Sequence, residues 1–219
     1  MEKKELVKAI AQAKESSQKR NFSQTVDFII TLGNIDSKNP EHQIELYVLA
    51  KYPRSSGKTK VCAFVGAETY DEAKRVFDTA IESHDFDKYQ ADKKLVKKLL
   101  KEHTFFVAQA TVMAKVATVF GRVLGPKGKM PNPKAGNVFP PKGFNLEQLY
   151  ERLQRTIKVT SKKGPFVQCI IGSEDMDNDH LAENALQVYT TVLHSFHDDT
   201  NKIKSVFVKL TMGKVVEVV

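Results

Sequence analysis

The chain has 219 residues, enough for one large domain or two small ones, and 41% hydrophobic against 27% charged residues exclude a chain that stays disordered. No apolar run approaches the roughly 18 residues of a bilayer-spanning helix, no signal-peptide pattern opens the chain, and two lone cysteines exclude a disulfide framework or a Cys-x-x-Cys pair. The net charge of +8 is unevenly spread: Lys51 to Arg155 holds 20 Lys/Arg against 11 Asp/Glu, net +9, and the two flanks together hold 14 against 15, net −1.

Leu6, Val7, Ile10 and Ala13 recur at helical spacing, with Lys and Glu on the other face, and predict a surface helix over 3–15. Val26, Phe28 and Ile30 then alternate with Thr25, Asp27 and Ile29, a strand that ends at Gly33. A loop with Asn39-Pro40 leads to a second strand from Ile44, and the turn-rich run Pro53 to Gly57 marks a domain boundary. From Val61 the texture becomes strand and helix in alternation: VCAFVG a buried strand, TYDEAKRVFDTAI a helix, TFFVAQA a strand and MAKVATVFGRVLG a helix. That alternation is the signature of βαβ units around a parallel sheet. Between them, Leu95, Leu99 and Leu100 among five lysines read as a helix with a charged, solvated face, or else a basic face turned to RNA. After Leu153 longer strands return, TIKVTS, PFVQCIIGS, IKSVFVKLTM and VVEVV, with a long helix over DHLAENALQVYTTVLHSF.

The expected fold class is therefore α/β, with an α+β terminal domain built from both termini, 1–57 plus 156–219, and a Rossmann-like three-layer α/β domain, 60–153, inserted into it. The two connections, near 54–60 and 154–157, are the expected hinge. Cys62 and Cys169 fall in apolar strands and read as small core residues.

Catalytic signals are weak. SSGKT at Ser55 to Thr59 precedes the strand a phosphate loop should follow, GRVLGPKGK has Val123 and Met130 where glycine and Ser/Thr belong, and Gly66 stands alone after its strand. His194 and His197 with Asp198 and Asp199 read as a polar helix end, and Gly172 to His180 as a strand exit and helix cap, so no metal or cofactor is expected. The segment Gly121 to Gly143 is different. It holds Arg122, Lys127, Lys129, Lys134 and Lys142 without a single acid, and five of the eight prolines. Such a stiff basic loop suits phosphate.

GRVLGPKGKMPNP, the early RNFSQTVDFIITL, SEDM before the long helix and the late VFVKLTMGK together resemble the L-one family of large-subunit ribosomal proteins in its archaeal form, end to end. The resemblance implies two α/β domains and no catalytic activity. It implies binding to large-subunit ribosomal RNA in the cytoplasmic ribosome, within a mobile stalk beside the site from which deacylated tRNA leaves, in contact with other ribosomal components. It implies as well repression of the protein's own messenger RNA through a similar RNA element. No membrane partner follows from it.

Carried onto this sequence, the resemblance places RNA-binding residues at Arg20, Phe22, Ser23, Gln24 and Thr25, at Lys162, Lys163 and Gly164, and at Lys209, Thr211, Met212, Gly213 and Lys214. Arg122, Lys127, Lys129 and Lys134 form a secondary basic loop. Hydroxyls, an amide and bare backbone are suited to the 2′-hydroxyls of an RNA minor groove. The competing reading is an enzyme or small-molecule-binding protein whose Rossmann-like domain takes a phosphorylated ligand.

Overall fold

The structure is a computed structural model that describes residues 1–33, 44–54, 58–141, 143–161, 164–196 and 199–218. Asn39-Pro40, Ser55 to Gly57, Lys142, Lys162, Lys163, His197 and Asp198 lie outside the described residues. The chain divides into two compact units, Met1–Gly57 with Gln154–Val219, and Lys58–Leu153.

The first unit is a six-stranded sheet in the order β10-β9-β1-β8-β7-β2. Its strands are β1 (Thr25–Leu32), β2 (Glu45–Leu49), β7 (Thr156–Thr160), β8 (Phe166–Ser173), β9 (Ile203–Leu210) and β10 (Val215–Glu217), and every pairing is antiparallel. Helices α1 (Lys3–Glu15) and α7 (Asn178–Ser195) cover one face. Strict alternation in TVDFIITL turns Val26, Phe28, Ile30 and Leu32 into that covered face and leaves Thr25, Asp27, Ile29 and Thr31 on the other. Helix α7 lies close on β8 because Gly172 leaves room: a Cβ there would sit 2.3 Å from Leu181 Cδ2. Mid-helix Asn184 is buried yet satisfied, its amide donating to the Ile171 carbonyl at 3.0 Å and its Oδ1 accepting from Tyr52 N at 3.1 Å. Glu183 on the same helix binds Lys3 at 2.8 Å and Lys51 at 2.5 Å, so α1 and the end of the β2 segment are tied to α7 by one carboxylate.

The second unit is a parallel sheet in the order β4-β3-β5-β6, from β3 (Val61–Val65), β4 (Thr79–Glu82), β5 (Phe105–Gln109) and β6 (Val138–Phe139). Helices α2 (Tyr70–Val76) and α6 (Leu146–Arg155) pack on one face, and α3 (Phe86–Ala91), α4 (Lys93–Glu102) and α5 (Met113–Leu124) on the other. Strands covered on both faces need continuous apolar runs, and VCAFV and FFVAQ are buried at every position. The fold is mixed α/β, one antiparallel and one parallel sheet.

One expected helix is corrected. The segment read as helical from Thr69 to Ile81 stops at Val76, and Phe77 turns extended. Asp78 then accepts a hydrogen bond from Val61 N at 2.9 Å, and Thr79 to Glu82 pairs parallel with β3 as an edge strand. The periodicity of this stretch fits a helix; its tertiary partner decides otherwise.

Candidate nucleic-acid interface

One end of the antiparallel sheet gathers residues from distant parts of the sequence. The Thr25 and Thr211 hydroxyls are 2.8 Å apart, Thr211 N donates to the Thr25 carbonyl at 3.1 Å, and Thr25 N donates back to Thr211 Oγ1 at 3.2 Å. Gln24 Oε1 accepts from Met212 N at 3.1 Å while its Nε2 donates to Ser17 Oγ at 3.2 Å. Ser23 meets Ser173 Oγ at 2.6 Å and donates to Asp175 Oδ2, and Asp175 also accepts from Ser173 at 3.2 Å. Two apolar side chains stand out of this polar frame, Phe22 at 55% and Met212 at 61% exposure. Arg20 and Lys214 are exposed beside them in sequence.

Gln24, expected among the RNA contacts, is corrected to another role. It is 1% exposed, so it cannot meet a ligand directly. Its amide spans Ser17 and Met212 and holds the TMG turn in place. Gly213 closes that turn by donating from N to the Leu210 carbonyl at 2.9 Å, and an added Cβ would meet Leu210 Cβ at 3.1 Å. The glycine thus answers first to the turn's own packing. Ser17, Ser173 and Asp175 were not expected at all. They carry no motif of their own and become visible only when α1, β1 and β8 are brought together.

The uncovered face of the sheet continues from this end. Across β1, Asp27 pairs with Lys209 and with Ile170, Ile29 with Phe207 and Gln168, and Thr31 with Ser205 and Phe166. Burial lifts the Asp27 carboxyl above its ordinary range, against the pull of the Lys209 charge and a hydrogen bond from Gln168. The face is a mosaic of hydroxyls, an amide, an ion pair and half-exposed Phe166 and Ile170. Gly164 lies at the far end: Phe166, two residues on, pairs with Thr31, and Leu32 N donates to the Pro165 carbonyl at 2.8 Å. At ~3.3 Å per residue, β1 therefore separates Gly164 from Thr25 by roughly 20–25 Å. The residues that the resemblance assigned to one surface bracket the open face instead of sharing one end.

In the second unit, Arg122, Lys127 and Lys134 are exposed. Lys129 is corrected: its ammonium donates to the Leu100 carbonyl at 2.8 Å and the His103 carbonyl at 2.7 Å, filling the C-terminal end of α4 instead of standing open to phosphate. Helix α4 buries Val96, and Lys94, Lys97, Lys98 and Lys101 are exposed. The parallel sheet has its topological switch between the C-terminal ends of β3 and β5, where a doubly wound fold would hold a nucleotide. Buried Gln109 fills that crevice, its Oε1 accepting from Gly66 N at 2.7 Å and Thr69 Oγ1 at 3.0 Å. The backbone N–H that would meet a phosphate is already taken. Among the described residues no group of three or more His, Cys, Asp and Glu could hold a metal ion, and no helix is long and apolar enough to cross a membrane. Cys62 and Cys169 are free and buried, the latter's thiol pushed up to about 12 by burial and by the nearby Asp27.

A discontinuous antiparallel α/β unit interrupted by a parallel one, with the interrupting unit's nucleotide crevice closed by its own glutamine, defines the class: a two-unit α/β protein built around surfaces. The sequence comparisons place it within that class. The chain belongs to the ribosomal protein L1p/L10e family, whose model matches residues 12–214, and is accordingly a structural ribosomal protein and not an enzyme. It is 34% identical over 217 residues to the large ribosomal subunit protein uL1 of Thermococcus kodakarensis, covering 99% of this chain and 98% of that one. The uL1 protein of Methanobrevibacter smithii is 37% identical over 98% of this chain and 99% of its own. That of Thermofilum pendens is 37% identical over 97% and 92%.

Proposed function

We propose that this protein is a constituent of the large ribosomal subunit that binds large-subunit ribosomal RNA with its antiparallel unit, along the open sheet face from the Phe22–Thr25 and Thr211–Gly213 end toward Phe166 and Gly164. The observation that carries the reading is the set of hydrogen bonds joining Thr25 to Thr211 and Gln24 to Met212, which makes one surface of two remote motifs. The recognition chemistry is that of RNA. Ser, Thr and backbone groups bond 2′-hydroxyls in a wide, shallow minor groove, and Phe22 and Met212 offer apolar faces to bases or sugars. Lys209, Lys214 and Arg20, with Lys162 and Lys163, meet phosphate and fix the register without reading sequence. The exposed cations of the parallel unit, Arg122, Lys127 and Lys134, add long-range attraction.

The finer parts of the proposal rest on the family resemblance. The protein forms a mobile stalk that meets deacylated tRNA at the exit site, with the two chain crossings near 54–60 and 154–157 as its hinge. It also represses its own messenger RNA, binding it more weakly than the ribosomal site, so that only surplus protein reaches the message. The test is a competition experiment with the full chain: fragments covering the large-subunit RNA are offered against excess unrelated RNA, and one ribosomal fragment should be retained. Equal retention of all fragments would overturn specific recognition. Tighter binding of the messenger than of the ribosomal fragment in one buffer would overturn the feedback.

A further inference from the structure

The parallel unit has a second, oppositely charged face. Between α2 and the segment Gly143–Glu147 runs an open groove of about 640 Å³, and on the other side of Phe144 a recess of about 230 Å³ continues toward Pro140 and Pro141. Phe144 forms the ridge between them. It is 39% exposed and lies on buried Phe139, with ring centroids 6.0 Å apart and planes at 19°. Gly143 holds the approach to this ridge in a left-handed conformation, φ 74°, and a Cβ there would meet nothing, so the chain bends here without being packed down.

Three carboxylates, Glu68, Glu72 and Glu147, line these two hollows against one cation, Arg75. Among the described residues none of the three forms an ion pair, whereas other carboxylates such as Glu45, Asp85 and Glu183 do. The sign is opposite to that of the chain, which carries +8, and to that of its middle stretch. An RNA would be repelled here. An unpaired carboxylate rim around an exposed aromatic ring and two prolines is suited to guanidinium groups, which bond carboxylates in bidentate fashion and lie flat on aromatic faces.

We propose that this groove is a docking site for an extended, arginine-rich segment of another protein. One guanidinium lies on Phe144, its neighbours pair with Glu72 and Glu147, and an apolar side chain of the segment enters the recess at Pro140 and Pro141. The site is separate from the RNA surface, which lies on the other unit, and stands or falls independently of it.

The test uses the full chain, isotope-labelled, titrated with a synthetic twelve-residue peptide holding four arginines and one leucine, and with the same peptide in which lysine replaces arginine. Backbone amide shifts should cluster at Glu72, Gly143, Phe144 and Glu147. The lysine peptide should bind at least threefold more weakly, since it cannot lie flat on the ring. Phe144→Ala should weaken the arginine peptide at least fivefold. Because Phe144 packs on Phe139, the charge-only variant Glu72→Gln/Glu147→Gln serves as a second probe that leaves the ring in place, and it should weaken binding by a similar factor. Glu5→Gln/Glu15→Gln, the same charge change on α1, should leave binding unchanged. Shifts spread evenly over all acidic surfaces, equal loss in the α1 control, or shifts in the groove with poly(U) instead of the peptide would each overturn the proposal.

Discussion

Thr25 and Thr211, 186 positions apart in the chain, share a hydroxyl-to-hydroxyl hydrogen bond of 2.8 Å at one end of the antiparallel sheet. Each also bonds the other's backbone, so the first residue of β1 and the first residue after β9 form a single polar platform. A mutual pair of this kind is measurable as a coupling. Thr25→Val and Thr211→Val should each cost about 0.5–1.5 kcal/mol of stability, the net worth of a typical hydrogen bond. The double variant should lose less than the sum, and denaturant unfolding of all four proteins gives the coupling directly. Additive losses would show that the two hydroxyls act independently.

Gln24 separates positioning from contact. It is buried beneath the platform and accepts from Met212 N. Gln24→Leu removes that acceptor and the donor to Ser17, leaving partners unpaired at a cost of about 1–3 kcal/mol. RNA affinity should fall with it, although the residue touches no ligand. Gln24→Glu keeps the acceptor and should restore part of the RNA affinity. Full affinity in a destabilised Gln24→Leu variant would show that the TMG turn needs no such support.

Two lysines two residues apart should behave oppositely. Lys129→Met removes the cation that caps α4 through the Leu100 and His103 carbonyls and should lower stability by roughly 0.5–2 kcal/mol. Lys127→Met, at an exposed position, should leave the melting temperature unchanged and weaken RNA binding slightly and uniformly across sequences. Calorimetry on both variants, with binding measured at two salt concentrations, checks the contrast.

The Glu183 clasp predicts an acid-sensitive contribution to stability. Hydrogen bonds from Lys3 and Lys51 hold its carboxyl down to about 2, from an ordinary 4.5. A carboxylate with a lowered folded-state pKa stabilises the fold above its unfolded value, and that contribution is lost as pH falls from about 4.5 through about 2. Glu183→Gln should therefore melt below the parent at pH 7, by less at pH 3, and level with it below pH 2. A difference that stays constant with pH would assign the effect to packing.

The alternation in TVDFIITL predicts both the strand and the face it covers, because in a sheet covered on one side each side chain reports its own burial. The same reasoning succeeds for VCAFV, where two covered faces demand an unbroken apolar run. It fails for Thr79 to Glu82, a short edge strand whose pairing with β3 leaves no mark in its own residues. The motif residues were legible as types, Thr, Met and Gly being suited to RNA. Their division was not: Gln24 looks like a contact until its burial is known, and Gly164 looks like a neighbour of Thr25 until the antiparallel register puts it at the other end of β1. Lys129 reads as one more loop cation because the carbonyls it caps belong to a helix end more than twenty residues earlier.

The central claim, that the Thr25–Thr211 end of the sheet is where ribosomal RNA binds, is tested most directly by Met212→Asp in the full chain. Met212 is exposed, so its side chain can change without disturbing the core. Measured against the retained ribosomal fragment, the dissociation constant should rise at least tenfold, while the melting temperature stays within a degree or so of the parent and binding to an unrelated RNA changes little. An unaltered dissociation constant in a folded Met212→Asp protein would contradict the account and move the RNA surface elsewhere.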